Sequence, residues 1–270
     1  MPTVVKGETK VWQRRDSRTS LLVFFGYLTA AVIFLIAFRY ISSQTTWLFV
    51  WDAPRQAADL IGRMFPPRWT YAERLWRPLW DTINIATLGT VIAMVVSIPI
   101  AFMAARNTTP HPVLRQLAMV IIVFSRSVNS LIWALLLVSI IGPGVLAGVI
   151  AIGIRAIGFC TKLLYEAIEE VNPRPIEALT SAGASGAQVI GYGIMPQVLP
   201  AIAGIILYRW DINIRSSTVV GLVGAGGIGI QLNSSINALQ WSQVTVIFIM
   251  IIVLVLAAEW VSAKVRGAIQ

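Results

Sequence analysis

Long apolar runs separated by short polar segments dominate the chain, and these runs have the length of membrane-spanning helices. A helix rises about 1.5 Å per residue, so about 20 residues cross a hydrocarbon core of about 30 Å. Five runs reach or nearly reach this length: 21–38, 80–105, 145–165, 197–220 and 244–261. A sixth, 113–141, is interrupted by Ser125-Arg126-Ser127-Val128-Asn129-Ser130, whose polar groups lipid cannot satisfy. The pattern predicts an all-α membrane protein with about six transmembrane helices.

Tryptophan is frequent in the segment 39–79, between the first two runs. This residue prefers the headgroup layer of a bilayer. At helical spacing, one face of the segment is apolar, with Ala57, Leu60, Ile61, Met64 and Phe65, and the opposite face carries Arg55, Asp59 and Arg63. The pattern predicts a helix that lies at the membrane surface. For the rest of the segment, an irregular loop closed by two prolines remains open.

Composition and charge fit lipid as the solvent better than water or nucleic acid. Hydrophobic residues make up 57% of the chain and charged residues 12%, and the mean hydropathy is +0.76. The formal net charge of +9 comes from cations that mostly punctuate the apolar runs, whereas a nucleic-acid binder clusters them on a polar domain. The single cysteine, Cys160, lies in an apolar stretch and is expected to pack between helices.

The distribution of Lys and Arg orients the chain. Basic residues precede the first run, so the positive-inside rule holds the N-terminus in the cytoplasm. No small-x-small cleavage site follows, and the first run is therefore interpreted as an uncleaved helix. Six crossings make both termini cytoplasmic and the protein a multi-pass component of the cytoplasmic (inner) membrane. The expected layout is a cytoplasmic tail at 1–20, a first transmembrane helix at 21–38, an external segment at 39–79, a transmembrane core at 80–263 and a cytoplasmic tail at 264–270.

A polar, acidic loop at 166–196 lies between the fourth and fifth crossings, on the cytoplasmic side of this topology. Pro175 can start a short helix there and Gly183 can end it. The loop contains Glu177-Ala178-Leu179, then Gly183, then Met195-Pro196, and it resembles the EAA loop of ABC importer permeases. The chain departs from the pattern of the wider family at three positions, where Leu179 replaces alanine, Gly193 replaces isoleucine and Met195 replaces leucine.

This resemblance implies a type I ABC importer fold and a division of labour between subunits. In that family the short helix of the loop sits in a groove of the ATP-hydrolysing subunit and transmits its closure to the membrane helices. Glu177, Ala178, Gly183 and Pro196 are thus expected to couple the chain to a separate ATPase that binds ATP and Mg. The sequence has no Gly-Lys dipeptide, hence no P-loop, and no catalytic triad or cluster of metal ligands. We expect this chain to be a transporter subunit that is not an enzyme and binds no metal or cofactor.

A second resemblance covers 208–229, where the chain reads Tyr208-Arg209-Trp210-Asp211-Ile212-Asn213-Ile214-Arg215 and later Val223-Gly224-Ala225-Gly226-Gly227-Ile228-Gly229. It is similar to the phosphonate importer permeases, and the similarity extends over most of the chain from the second helix onward. It implies that the cargo is phosphonate or a related phosphorus oxyanion, phosphate or phosphite, moved by alternating access. It further implies two permease copies, two ATPase subunits and an external solute-binding protein. The glycine run also satisfies GxGxxG, but it follows a membrane span and not a strand, which excludes a dinucleotide site.

Four arginines lie within the apolar runs, where charge is costly and usually faces the bundle interior or an aqueous path. They are Arg126, Arg155, Arg209 and Arg215. Asp211 precedes Arg215 by four residues, which predicts an ion pair on one helical face. Guanidinium forks bind phosphorus oxyanions in bidentate fashion. We therefore expect an anion pathway lined by Arg126, Asn129, Arg209, Asp211, Asn213 and Arg215. A purely structural role, in which the arginines pair with Asp211 or helix carbonyls or extend to an interface, stays open.

The glycines Gly224, Gly226, Gly227 and Gly229 allow two interpretations. They can form a flexible gate or an anion-binding backbone nest near the outer face, or they can allow close packing at a re-entrant turn. Two other classes of function would leave different patterns in the sequence. A secondary transporter would show inverted repeats and acidic coupling residues, and a membrane-embedded enzyme would show a set of His, Asp or Ser in the spans. Neither pattern is clear, and an ABC importer for another small solute also remains open.

Overall fold

The computed structural model describes residues 3–6, 9–12 and 17–269. An antiparallel hairpin of β1 (Thr3–Lys6) and β2 (Thr9–Trp12) precedes a series of helices. These are α1 (Ser17–Gln44), α2 (Trp47–Met64), a 3₁₀ helix (Trp69–Leu75), α3 (Trp76–Ala104), α4 (Pro112–Ser127), α5 (Ser130–Ile141), α6 (Val145–Glu169), α7 (Pro173–Ser181), α8 (Gly186–Gln188), a π-helical turn (Val189–Ile194), α9 (Met195–Gly221), α10 (Ile228–Asn237) and α11 (Trp241–Ile269). By internal packing the chain divides into two units, 1–60 and 61–270.

The first unit contains the hairpin, α1 and most of α2. The hairpin was not predicted, because strands of four residues are too short to show a clear two-residue period. Helix α1 extends the predicted span 21–38 at both ends, since the polar residues that flank the apolar run continue the same helix. Helix α2 confirms a helix within 39–79, and its position at the membrane surface stays a prediction.

The second unit is a helical bundle in which α3, α6 and α9 pack against one another. Small residues permit this close approach. A Cβ atom at Gly89 of α3 would lie 3.0 Å from Cγ2 of Ile152 in α6. On another face of α6, a Cβ atom at Gly158 would lie 2.8 Å from the carbonyl oxygen of Ile122 in α4. Helix α6 is therefore a packing helix, as its glycines predicted, and Cys160 is fully buried in it.

Hydrogen bonds between connecting segments define the two ends of this bundle. At one end, which we call the Glu169 end, the backbone amide of Arg106 donates to Glu169 Oε1 at 2.8 Å. At the other, the Gly224 end, the amide of Gly144 donates to the carbonyl of Gly224 at 3.0 Å. Helices α3, α6, α9 and α11 each run from one end towards the other. The loop 166–196 lies at the Glu169 end, where the sequence analysis placed the cytoplasm.

The interrupted run 113–141 forms two helices, α4 and α5, whose axes differ by 86°. Helix α4 starts at the Glu169 end, because Arg115 Nε donates to the carbonyl of Ala104 at 3.2 Å. Helix α5 leads into Gly144 at the Gly224 end. The pair therefore traverses the bundle as one bent crossing. Within the described residues five helices are long and apolar enough to span a membrane, and counting the bent pair gives the predicted six.

Candidate coupling loop and anion pathway

Helix α7 is the short helix predicted within the loop 166–196. It begins at Pro173 and not, as expected, at Pro175, because the Asn172 side chain caps it by accepting from a backbone amide at 3.1 Å. Pro173 then occupies the first helical position, where a missing N–H costs nothing. The helix ends two residues before Gly183, whose φ of +81° is a left-handed conformation that favours glycine. The left-handed backbone of Gly183 thus explains why the helix ends just before it, as predicted. The predicted start of the helix was wrong by two residues.

One face of α7 is exposed and the other packs on the segment that leads into α9. Glu177 and Ala178 are exposed, as is Pro196 near the beginning of α9. Leu179 lies under Gly193, since a Cβ atom at Gly193 would lie 3.1 Å from Leu179 Cδ1. These are two of the positions at which the chain departs from the EAA pattern, and they compensate each other. The larger Leu179 fills the space that the missing side chain of Gly193 leaves.

Polar contacts reinforce the attachment of α7 to α9. The backbone amide of Asn172 donates to Gln197 Oε1 at 2.9 Å, and Gln197 Nε2 donates to the backbone carbonyl of Gly193 at 2.7 Å. One glutamine side chain therefore joins the first residue before α7, the π-helical turn and the first turn of α9. The bond between Asn172 and Gln197 and the contact of Leu179 with Gly193 thus connect α7 to α9 and to the π-helical turn before it.

The bend between α4 and α5 follows from its sequence. Val128 is extended, and Asn129 caps α5 by accepting from the amide of Leu131 at 3.2 Å. Arg155 of α6 holds this bend from the side, because its Nη1 donates to Asn129 Oδ1 at 3.1 Å and to Ser130 Oγ at 3.3 Å. Asn129 and Ser130, two of the polar residues that lipid cannot satisfy, thus find hydrogen-bond partners within the bundle.

Two arginines from different helices meet on the ring of Phe159 in α6. Arg126 Cζ, from the last turn of α4, lies 4.7 Å from the ring centroid, and Arg209 Cζ, from the middle of α9, lies 5.0 Å from it. Both distances are typical of a cation–π contact. The two Cζ atoms are separated by no more than the sum of these distances, about 9.7 Å. At an effective dielectric constant of about 20, unit charges this close repel by about 1.7 kcal/mol or more.

The environment of Arg209 lacks a compensating anion. Its side chain is 5% exposed, and its Nε has no hydrogen-bond partner. Among the residues that the structure describes, neither Arg209 nor Arg126 forms an ion pair with a carboxylate. Burying an unpaired charge costs on the order of several kcal/mol. Together with Arg155, one helical turn from Phe159 on α6, these side chains make a cationic cluster around Phe159. No described carboxylate forms an ion pair with these arginines, so the cluster carries an excess of positive charge that an anion could neutralise.

The other predicted pathway residues lie on α9 and have partners of their own. Arg215 Nη2 donates to Asp211 Oδ2 at 2.6 Å, which confirms the predicted ion pair. Asn213 is fully buried, and its Nδ2 donates to Thr90 Oγ1 of α3 at 2.8 Å. Asn213 therefore joins α9 to α3 and does not reach the cluster around Phe159. Of the six predicted residues, the structure brings Arg126 and Arg209 together on Phe159, whereas Asn129 bonds to Arg155.

Phe159 was not among the residues predicted from sequence, and Arg155 was predicted only as one of the membrane cations. The two residues are four apart on α6 and so lie on one helical face. An aromatic residue one turn from a membrane arginine is the signal that identifies such a contact. It does not indicate which further arginines arrive from α4 and α9, since that depends on how the helices pack.

The glycine run forms a tight turn between α9 and α10 at the Gly224 end. Gly224, Gly226 and Gly227 have φ values of +89°, +90° and +72°, which side chains rarely adopt. A Cβ atom at Gly227 would lie 2.6 Å from Thr82 Oγ1 of α3, and the amide of Ile228 donates to the same hydroxyl at 2.8 Å. This geometry is that of close packing. The amides of Gly224 and its successor donate to carbonyls of α9, so they are not directed at a ligand.

Gly229, the fourth glycine of the predicted gate, lies in the first turn of α10. A Cβ atom at Gly221 of α9 would lie 2.7 Å from its Cα. The two helices therefore touch backbone to backbone at this point, which only glycine permits. The turn closes the Gly224 end of the bundle, and its role as a gate stays a prediction.

Comparison with known proteins places the chain in a family. Residues 97–265 match the family described as binding-protein-dependent transport system inner membrane component. The chain belongs to this family. It is 41% identical to a phosphite transport system permease protein of Stutzerimonas stutzeri, over 77% of this chain and 76% of the relative. It is 38% identical to a phosphate-import permease protein of Mycolicibacterium smegmatis, over 80% of this chain and 40% of the relative.

The fold of the permease also has a counterpart among solved structures. An amino acid ABC transporter superposes with a TM-score of 0.63 at 20% identity, over 74% of this chain and 95% of that one. The type I ABC importer fold expected from the loop at Glu177 is thereby confirmed, as is the resemblance to the permeases of phosphorus oxyanion importers. The permease is a multi-pass component of the inner membrane and a transport subunit, not an enzyme.

Proposed function

We propose that this permease carries a phosphorus oxyanion, namely phosphite, phosphate or phosphonate, into the cell in an ABC importer driven by ATP hydrolysis on a separate subunit. The observation that carries the proposal is the buried Arg209, which lacks an anionic partner in the described part of the chain. Relatives whose names specify phosphite and phosphate transport support the choice of anion.

The pathway that we propose runs past the cluster around Phe159. Arg126 and Asn129 line it at the bend between α4 and α5, and Arg209 lines it from α9. The pair of Asp211 and Arg215 lies further along α9 towards the Gly224 end, where an anion arriving from outside would pass. Guanidinium groups attract the anion, and it would meet the exposed Arg126 before the buried Arg209.

Coupling to ATP would occur through α7. The exposed Glu177 and Ala178 form the surface offered to the ATPase subunit, which binds ATP and Mg. Gly183 sets the end of that surface, and Pro196 starts the helix that receives the movement. Closure of two ATPase subunits would shift α7, and the contacts of α7 with α9 would carry the shift towards Arg209.

Alternating access also requires partners in the membrane and outside. We propose a homodimer of two permease copies, because a chain of six crossings supplies one half of a two-fold pathway. We also propose that both termini lie in the cytoplasm, and the basic residues around them support this orientation. An external solute-binding protein would deliver the anion to the Gly224 end, where the turn of Gly224, Gly226, Gly227 and Gly229 would act as the outer gate.

The test is uptake by the complete complex in proteoliposomes, with its ATPase and binding protein, using radiolabelled phosphite and phosphate. We expect uptake only with ATP inside the compartment where the ATPase lies, and uptake driven by an ion gradient without ATP would refute the proposal. Gly183→Val should reduce recovery of the ATPase with the permease, since valine strains a φ of +81°. Gly186→Val is the matched control, because Gly186 has no positive φ and nothing within 4 Å of a Cβ atom.

A further inference from the structure

Phe159 is the contact that Arg209 and Arg126 share. Arg209 forms no ion pair with another described residue, its Nε has no hydrogen-bond partner among them, and its guanidinium lies over Phe159. The face of an aromatic ring carries partial negative charge and so compensates a buried cation in part. A bidentate bond to an oxyanion compensates it more completely. An arriving oxyanion would therefore take over Arg209 from the ring.

Arg126 approaches the same ring from an accessible position. It is exposed, in the last turn of α4, and directly precedes the bend at Asn129. The two guanidinium groups lie within about 9.7 Å of each other and repel, and an anion that contacts both converts this repulsion into two attractions. The charge of Arg155 adds to the potential, although its own hydrogen bonds go to Asn129 and Ser130.

From this arrangement we infer that Arg126, Arg209 and Phe159 form a binding site that selects doubly charged tetrahedral oxyanions, with Phe159 holding both guanidinium groups until the anion displaces it. The inference rests on the proposed function. Two guanidinium forks can each pair with two oxygens of a dianion. A singly charged anion leaves one of the two cations uncompensated, and so binds less well.

The experiment measures anion binding by calorimetry to the complex of permease and ATPase in nanodiscs, without the external binding protein. Phosphite at about pH 8 is the dianion probe, and hypophosphite, a monoanion of similar shape, is the comparison. We expect the Kd for hypophosphite to be about tenfold higher or more, the loss that corresponds to one charge-assisted contact. Equal Kd values for the two anions would overturn the inference.

Variants separate the role of each residue. Arg209→Gln should raise the Kd for phosphite at least about tenfold. Lys162→Gln, which removes a positive charge from the same bundle at a residue paired with Glu166, should leave it within about twofold. Phe159→Leu should lower the Kd about two- to fivefold, because the unloaded state loses its cation–π contacts while the loaded state does not depend on them. An unchanged or higher Kd for Phe159→Leu would contradict the role of the ring.

The outcomes also distinguish this inference from the proposed function. A complex that imports phosphite with ATP but binds both anions equally retains the function and refutes the site. A complex that imports neither phosphite nor phosphate refutes the function itself. If Phe159→Leu does not assemble, the comparison of Arg209→Gln with Lys162→Gln still decides whether the buried cation binds the dianion.

Discussion

Gly148 of α6 gives the sharpest test of how the glycine turn closes the Gly224 end. A Cβ atom at Gly148 would collide with the carbonyl oxygen of Ala225, in the middle of the turn, and would lie 3.3 Å from Ile85 Cδ1. The turn cannot retreat easily, because α3 already supports it from another side, where a Cβ atom at Gly227 would lie 2.6 Å from Thr82 Oγ1. Gly148→Ala must therefore displace either the turn or α6. Such overpacking costs about 1 to 3 kcal/mol.

Gly153, five residues further along the same helix, provides the matched control. Its added Cβ atom would lie 3.6 Å from the carbonyl oxygen of Gly89, which is an ordinary contact. Both substitutions gain about 1 kcal/mol from the higher helix propensity of alanine. The difference between the free energies of unfolding of the two variants cancels this gain and leaves the cost of the collision. We expect Gly148→Ala to be less stable than Gly153→Ala by about 1 to 3 kcal/mol.

The assay is thermal unfolding of the purified complex, followed by tryptophan fluorescence. At about 2 to 4 °C per kcal/mol, the two variants should melt about 2 to 12 °C apart. A second readout labels Val223→Cys, in the turn, with a thiol reagent that does not cross membranes; the native Cys160 is fully buried and contributes little. Labelling should be faster when Gly148→Ala is added. Equal melting temperatures and equal labelling for the two glycine variants would refute the closure of this end by the turn.

Two further predictions concern the attachments of α9. Leu179→Ala and Gly193→Ile should each destabilise the complex by about 1 to 3 kcal/mol in thermal unfolding, the first by a cavity and the second by a collision. The double variant should be more stable, by about 0.5 to 3 kcal/mol, than the sum of the two single destabilisations predicts. Simple additivity would contradict the compensation between the two residues. Thr90→Val should cost about 1 to 3 kcal/mol, because it leaves the buried Asn213 amide without its acceptor, whereas Thr29→Val changes an exposed hydroxyl and should have little effect.

The sequence alone determined the class of the protein and the order of its crossings. Apolar runs of about 20 residues are sufficient for this, since lipid tolerates only backbone that bonds within its own segment. The spacing of Glu177, Ala178, Gly183 and Pro196 also indicated the family, because these residues belong to one local segment of the chain. The predicted start of α7 at Pro175 was wrong by two residues, since the cap at Asn172 starts the helix at Pro173.

Only the tertiary structure decided which polar residues of the spans meet. Arg126, Phe159 and Arg209 come from three helices, and no spacing along the chain relates a position on α4 to one on α9. Asn213 lies four residues after Arg209 on α9 and so looked equivalent to it in sequence. Asn213 donates a hydrogen bond to Thr90 of α3, however, whereas Arg209 lies over the ring of Phe159. Periodicity fixes the face on which a side chain lies, and the partner on that face depends on how the neighbouring helices pack.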